Sequence, residues 1–249
     1  MTEPEQRPGA GTVVLAVGAH PDDLEELCGG TLAALALAGA KVHMATTTAG
    51  ESGSYELPAE EIRTIRLGEA ASAAAVAGAM YHHLGMRDQG VDVTIDERRR
   101  LSDLIRRLGV NLLITHPPVD YHVDHRRTSE LVTDARMAAP VPNFGDEPPL
   151  RFTPDLVYMD ATMGAPFEPH VWIDVTATRD VRRRMLAEHV SQVELMQAMY
   201  GQDIAEISES LSRLRGQQRG CDYAEAFCGC RTWPAPDGGI RRLVRILDR

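Results

Sequence analysis

Val13-Val14-Leu15-Ala16-Val17-Gly18-Ala19-His20-Pro21-Asp22-Asp23 is the stretch that decides the fold. Five consecutive apolar residues with no polar alternation read as a strand buried on both faces of a parallel sheet. A histidine and two acids then stand at the strand's exit, where α/β proteins keep their chemistry. About a hundred residues later the arrangement recurs. Val110-Asn111-Leu112-Leu113-Ile114-Thr115 runs into His116-Pro117-Pro118-Val119-Asp120-Tyr121-His122-Val123-Asp124-His125. Two strand-end clusters of His and Asp point to one divalent metal site assembled from distant segments.

Outward from the first stretch, strand-like and helix-like segments alternate. Strands are expected over 13–18, 41–47, 80–84 and 111–115. Helices are expected over 24–37, 59–77 and 96–108, with another running from 125 to about 137. Gly39 and Gly78 are plausible helix stops. This order implies an α/β, Rossmann-like three-layer fold with a mostly parallel sheet and right-handed crossovers. In the doubly wound order 3-2-1-4, strands one and four are neighbours. The chain leaves them in opposite directions and opens a crevice at their C-terminal ends. Both His/Asp clusters fall at that crevice.

The second half is less regular. Pro140, Pro142, Pro148 and Pro149 break 138–150 into a loop. Strands are expected over 156–159 and 171–175, one long helix over 178–200, another over 203–214, and extended chain over 223–227. This half completes the same domain and is expected to form part of the pocket, with 138–165 shaping specificity. Residues 1–11, polar and rich in Pro and Gly, are expected to be a frayed tail, leaving 12–249 as a single domain.

Composition excludes several classes. The 249 residues suffice for one sizeable α/β domain, and 43% hydrophobic with 25% charged content suits a globular protein. With 26 basic and 36 acidic residues the net charge is −10, which argues against a nucleic-acid partner. Arg98-Arg99-Arg100 and Arg182-Arg183-Arg184 read as solvated helix faces. The apolar run 32–38 is too short to span a bilayer, and no signal-peptide pattern precedes it. A cytoplasmic location is therefore expected. Cys221, Cys228 and Cys230 lack the paired spacing of a structural zinc site, so these and Cys28 read as free thiols.

A catalytic zinc needs about three protein ligands and an open position. His20 and Asp23, three apart on a first helical turn, share a side, and His125 supplies the third ligand. Asp22 stays free to act as general base for an attacking water. His122, one turn before His125, can stabilise an oxyanion or protonate a leaving group. Asp124 can hold a histidine in the required tautomer. Taken alone, the HPDD string reads equally well as a turn and helix N-cap, with Pro at N1 and acids favoured by the helix dipole. His116 reads as structural or pocket-lining. His43, His82 and His83 read as packed or exposed residues, and His170 carries no assigned role.

The pairing of Ala19-His20-Pro21-Asp22-Asp23 with His122-Val123-Asp124-His125 resembles the signature of the LmbE-like, or PIG-L, zinc-dependent N-deacetylases. Thr48-Ala49-Gly50-Glu51-Ser52-Gly53, Arg66-Leu67-Gly68-Glu69, Arg87-Asp88, His189-Val190-Ser191-Gln192 and Tyr223-Ala224-Glu225-Ala226-Phe227 resemble further blocks of that family. The resemblance covers roughly residues 12–230. It implies one Zn²⁺ held by His20, Asp23 and His125, with Asp22 as base and His122 assisting the tetrahedral intermediate. It also implies an N-acetylglucosamine-type substrate, contacted near Arg66 and Asp88. The expected partner is thus a small amino-sugar, bound by a monomer or a homo-oligomer.

The rival of the same chemistry is an amidase acting on a bulkier amide such as a thiol-conjugate. A non-catalytic nucleotide- or sugar-binding Rossmann module is weakened by HPDD standing where GxGxxG would be, since two acids repel a pyrophosphate. A structural interaction protein leaves the clustering of acids and histidines unexplained.

Overall fold

The computed structural model describes residues 7–161 and 165–247. The elements of the first half are β1 (Val13–Gly18), α1 (Asp23–Leu37), β2 (Lys41–Thr48), α2 (Ala59–Val76), β3 (Met80–Met86), α3 (Ile95–Leu108), β4 (Leu112–Thr115) and α4 (Val123–Ala138). Those of the second are β5 (Asp155–Met159), β6 (Val171–Asp174), a 3-10 turn, α5 (Arg179–Ala187), α6 (Val190–Tyr200), α7 (Ile204–Arg219), β7 (Ala224–Gly229) and α8 (Gly238–Leu247). They build one seven-stranded sheet in the order β3-β2-β1-β4-β5-β7-β6. β1 to β5 are parallel, and β7 runs antiparallel to both its neighbours.

The central strand explains the layers. Val14 and Ala16 enter the core shared with α1, α5 and α8, whereas Leu15 and Val17 enter the core under α3 and α4. All four are fully buried, as the unbroken apolar run requires. β1 lies between β2 and β4, so its end and that of β4 form the crevice that the strand order implies.

Helix α1 is gripped along its middle. The Gly30 and Thr31 amides donate to the Glu225 carboxylate at 2.8 and 2.7 Å. The Glu26 carbonyl, one turn earlier, accepts from Ser208 Oγ at 2.7 Å. A Cβ on Gly30 would meet Val175 Cβ at 2.8 Å, so this close approach demands glycine despite its cost inside a helix. β7 and α7 are thereby fastened to the helix that carries Asp23.

Several expectations change. The single helix over 178–200 is two, because the chain leaves helical geometry at His189 (φ −83, ψ 54). The Glu188 and His189 amides bond three residues back, tightening the end of α5. The buried His189 ring then lies 3.1 Å from Glu25 Oε1. The sequence reading assigned no element to 238–247, which forms α8 and buries Leu243 and Ile246. Residues 1–6 of the expected tail lie outside the described residues. Residues 7–11 form a turn in which the Gly9 amide donates to Ala38 O at 2.9 Å.

Candidate metal centre and active-site cavity

The first cluster owes its shape to the end of β1. Asp22 is the N-cap of α1 and has φ 104, a conformation that costs a non-glycine residue about 1–3 kcal/mol. Asp23 opens the helix and turns its carboxylate back. Its Oδ2 accepts from the Ala19 amide at 2.9 Å and the His20 amide at 2.7 Å. Two amides at a helix N-terminus suit an anion. His116 Nε2 lies 3.1 Å from the same oxygen, and the His116 ring stacks on His125 with centroids 4.0 Å apart.

The second cluster is set by the start of α4. Asp120 Oδ1 sits 3.0 Å from His125 Nδ1 and also accepts from the His122 amide at 2.9 Å. With Nδ1 held by a carboxylate, His125 presents Nε2, and that atom is 3.2 Å from Asp23 Oδ1. His122 Nδ1 accepts from the Asp124 amide at 3.2 Å, which places the proton of its neutral ring on Nε2. That nitrogen faces the cavity beside the Gln89 side chain, 3.3 Å away.

Among the described residues, potential ligand atoms converge in three overlapping groups, each within 4.8 Å: His20 with His122 and His125; Asp23 with His116 and His125; His20 with Asp88 and Asp124. The expected trio of His20, Asp23 and His125 is divided between the first two. His20 leans toward the third group, with Nε2 3.2 Å from Asp88 and 3.3 Å from Asp124. The Asp124 carboxylate therefore pairs with His20, while the Asp124 amide donates to His122.

Electrostatics follow from this crowding. Burial alone would depress His20 and His125, but the carboxylates outweigh it. His20 is raised by Asp124, Asp23 and Asp88, and His125 rises to about 9 beside Asp23 and Asp120. Burial would raise Asp23, yet His125 and His116 hold it well below the usual carboxylate range. Burial lifts Asp22 against the pull of Arg66, and lifts Glu26 to about 8 with help from Asp22 and Asp23. Burial lowers His122, with the neighbouring His20 and His125 adding to it. Buried imidazole nitrogens and carboxylate oxygens, with His125 fixed by a carboxylate behind it, form a donor set that fits a divalent cation such as zinc.

Arg66 and Asp88, expected to contact substrate, line the cavity but are occupied by the protein. The buried Arg66 donates to Gly50 O at 2.8 Å, Pro21 O at 2.7 Å and Asp22 Oδ2 at 3.2 Å. It braces the strained turn that carries Asp22. Asp88 accepts from the Ser52 and Gln89 amides while facing His20.

The cavity measures about 530 Å³ and includes Tyr121, Gln192, Met196, Tyr200, Ile204 and Ile207 besides the polar cluster. Among the described residues, none of those lining the cavity comes from 138–161 or 165–191. The proline-rich loop is pinned to α3, where Arg106 donates to Ala138 O, Ala139 O, Val141 O and Glu147 O. Residues 162–164 of the expected specificity segment lie outside the described residues.

Sequence reasoning gave no role to Asp120, Gln89 or Glu26. Asp120 stood in plain view five residues before His125. Gln89 shows itself only in the fold, where φ 60 turns its amide onto Asp124 at 2.8 Å.

The chain is similar to several known proteins. The family described as PIG-L: GlcNAc-PI de-N-acetylase matches residues 15–136. The 1D-myo-inositol 2-acetamido-2-deoxy-alpha-D-glucopyranoside deacetylase of Nakamurella multipartita is 31% identical over 235 residues, covering 74% of this chain and 80% of the relative. The 4-oxalmesaconate hydratase of Pseudomonas putida is 29% identical over 133 residues, covering 50% of this chain and 52% of that protein. Among solved structures, the conserved protein TT1542 of Thermus thermophilus has a TM-score of 0.76 and 28% identity, covering 90% of this chain and 94% of the other. The matched segment 15–136 contains the whole His/Asp cluster, and the alignment to the Nakamurella relative extends well beyond it; this chain belongs to the PIG-L, or LmbE-like, family.

Proposed function

We propose that this chain is a zinc-dependent N-deacetylase that releases acetate from an N-acetylglucosamine-type substrate. The observation that carries the reading is the single cavity that holds both the ligand cluster and the Asp22 carboxylate. The Nakamurella relative, a deacetylase of such a sugar by its description, supports the substrate class.

His20, Asp23 and His125 would hold the metal, with Asp120 keeping His125 Nε2 turned away from its own carboxylate and free to bind it. A zinc ion held there would supply Lewis acidity to the amide carbonyl and to water. Asp22 takes the proton from the attacking water as its oxygen joins the carbonyl carbon. Burial raises this carboxylate toward the range useful to a base, while Arg66 fixes its position. His122, with its proton on Nε2, donates to the oxygen on which negative charge develops. The C–N bond breaks, and the proton held by Asp22 passes to the departing nitrogen. The products are acetate and a free amine.

Asp124 and Asp88 flank His20 and orient its ring. The hydratase relative favours a second reading, in which the same base delivers water across a carbon–carbon double bond. Acetate assays on N-acetylglucosamine compounds separate the two. Metal-dependent acetate release supports the first. Hydration of an unsaturated acid without amide cleavage overturns it. An amidase of bulkier amides shares the mechanism and is distinguished by rates across an amide series.

A further inference from the structure

The cavity has two unlike sides. His20, Asp22, Asp23, His122 and His125 make a polar floor. Among the other lining residues, Gln192, Met196 and Tyr200 recur every four residues on α6, so one stripe of that helix faces the cavity. Ile204 and Ile207, one turn apart on α7, continue this wall, with Gln202 in the turn between the two helices also lining the cavity; the apolar part of the wall is thus Met196, Ile204 and Ile207.

The wall is fixed in place. At the start of α6, Ser191 donates from its amide and hydroxyl to Glu69 at 2.8 and 2.7 Å. Gln192 Nε2 donates to Gly53 O at 3.1 Å. On α7, Ser208 next to Ile207 donates to Glu26 O on α1. The turn between the helices is defined by Gly201 at φ 61 and by Asp203, which caps α7 through the Ala205 amide at 2.8 Å. An apolar face held this firmly is preorganised for a ligand.

Ile204 and Ile207 offer no side-chain hydrogen bond, and Met196 only a weak sulfur acceptor. A sugar hydroxyl pressed there would lose water without replacement. An alkyl or aryl group would gain by leaving water. We infer that Met196, Ile204 and Ile207 form an apolar subsite that receives an alkyl or aryl group carried beside the scissile amide. The inference rests on the amide-hydrolase reading above. The apolar group belongs either to the aglycone of the amino sugar or to its acyl chain.

Two product series test this without turnover. n-Alkyl glucosaminides from methyl to hexyl, and linear carboxylates from acetate to hexanoate, are titrated calorimetrically into the zinc-loaded full chain. Affinity should rise roughly fourfold per added methylene in one series, which identifies the source of the group. Ile207→Asn should flatten that rise. Met196→Gln, a good helix former on a largely exposed helix, should do so too if the first variant does not fold. Affinity independent of chain length in both series overturns the subsite, as does a slope that survives both substitutions. Turnover of methyl N-acetylglucosaminide, measured in parallel, tests the functional reading alone. A slope without turnover sinks that reading and keeps the subsite; turnover without a slope does the reverse.

Discussion

The two halves of this molecule divide the site between them. β1 to α4 supply the polar floor: His20, Asp22, Asp23, Asp88, His122 and His125 all come from the loops and helix starts that follow parallel strands. The second half supplies the facing wall, from helices that follow an antiparallel sheet edge. A parallel sheet places strand exits side by side and so fixes chemistry by topology. The helical wall has no such rule, and its position depends on a few buried polar links. Arg66 and Glu69, three apart on α2, join the halves: Arg66 braces the floor at Pro21 and Asp22, and Glu69 holds Ser191 at the start of α6.

The largest effect should come from breaking the floor. His125→Ala removes a ligand and should lose both bound metal and acetate release down to background. Metal retained at full occupancy in that variant would contradict the coordination assigned here. Asp22→Asn should keep the metal and lower kcat by about 10²–10⁴-fold; a change of only a few-fold would remove Asp22 from proton transfer. Asp120→Ala frees the His125 ring and should weaken metal affinity about 10–100-fold, measured by competition with a chelator.

Arg66→Ala sharpens the comparison between halves. If Arg66 braces Asp22, kcat should fall roughly ten- to a hundredfold equally on an N-acetyl sugar and on a ringless acetamide. A loss confined to the sugar would restore the substrate contact expected from sequence.

The smallest effect is on stability. Burial works against charge on His189, but Glu25 outweighs it and raises the pKa. A raised pKa means His189 contributes fully below its ordinary value near 6.5, and that contribution fades as pH rises through the folded value. The Tm of the wild type should therefore fall more steeply than that of His189→Gln as pH rises above about 6.5. Parallel Tm–pH curves would show that the pair is neutral in its contribution.

How far the sequence could be read follows the same division. Val13–Val17 and Leu112–Thr115 are strands, as their largely apolar runs predict, and strand order then brings HPDD to HVDH. The helix that periodicity favours breaks at His189, whose buried ring lies against Glu25, a partner distant in sequence. Arg66 and Asp88 were visible as site residues, but their roles depend on partners distant in sequence: Gly50 and Pro21 for one, Ser52 and His20 for the other. The apolar wall carried no motif, since Met196, Ile204 and Ile207 become a surface only when two helices meet across a glycine turn.

The most direct test of the central claim is metal content and acetate release measured on the same preparations. Full-length protein is stripped with a chelator, then titrated with Zn²⁺ while activity on an N-acetylglucosamine compound is followed. The account predicts activity rising in proportion to bound zinc and saturating at one ion per chain. Activity that survives complete stripping, or zinc that binds at one per chain without restoring any acetate release, would contradict it.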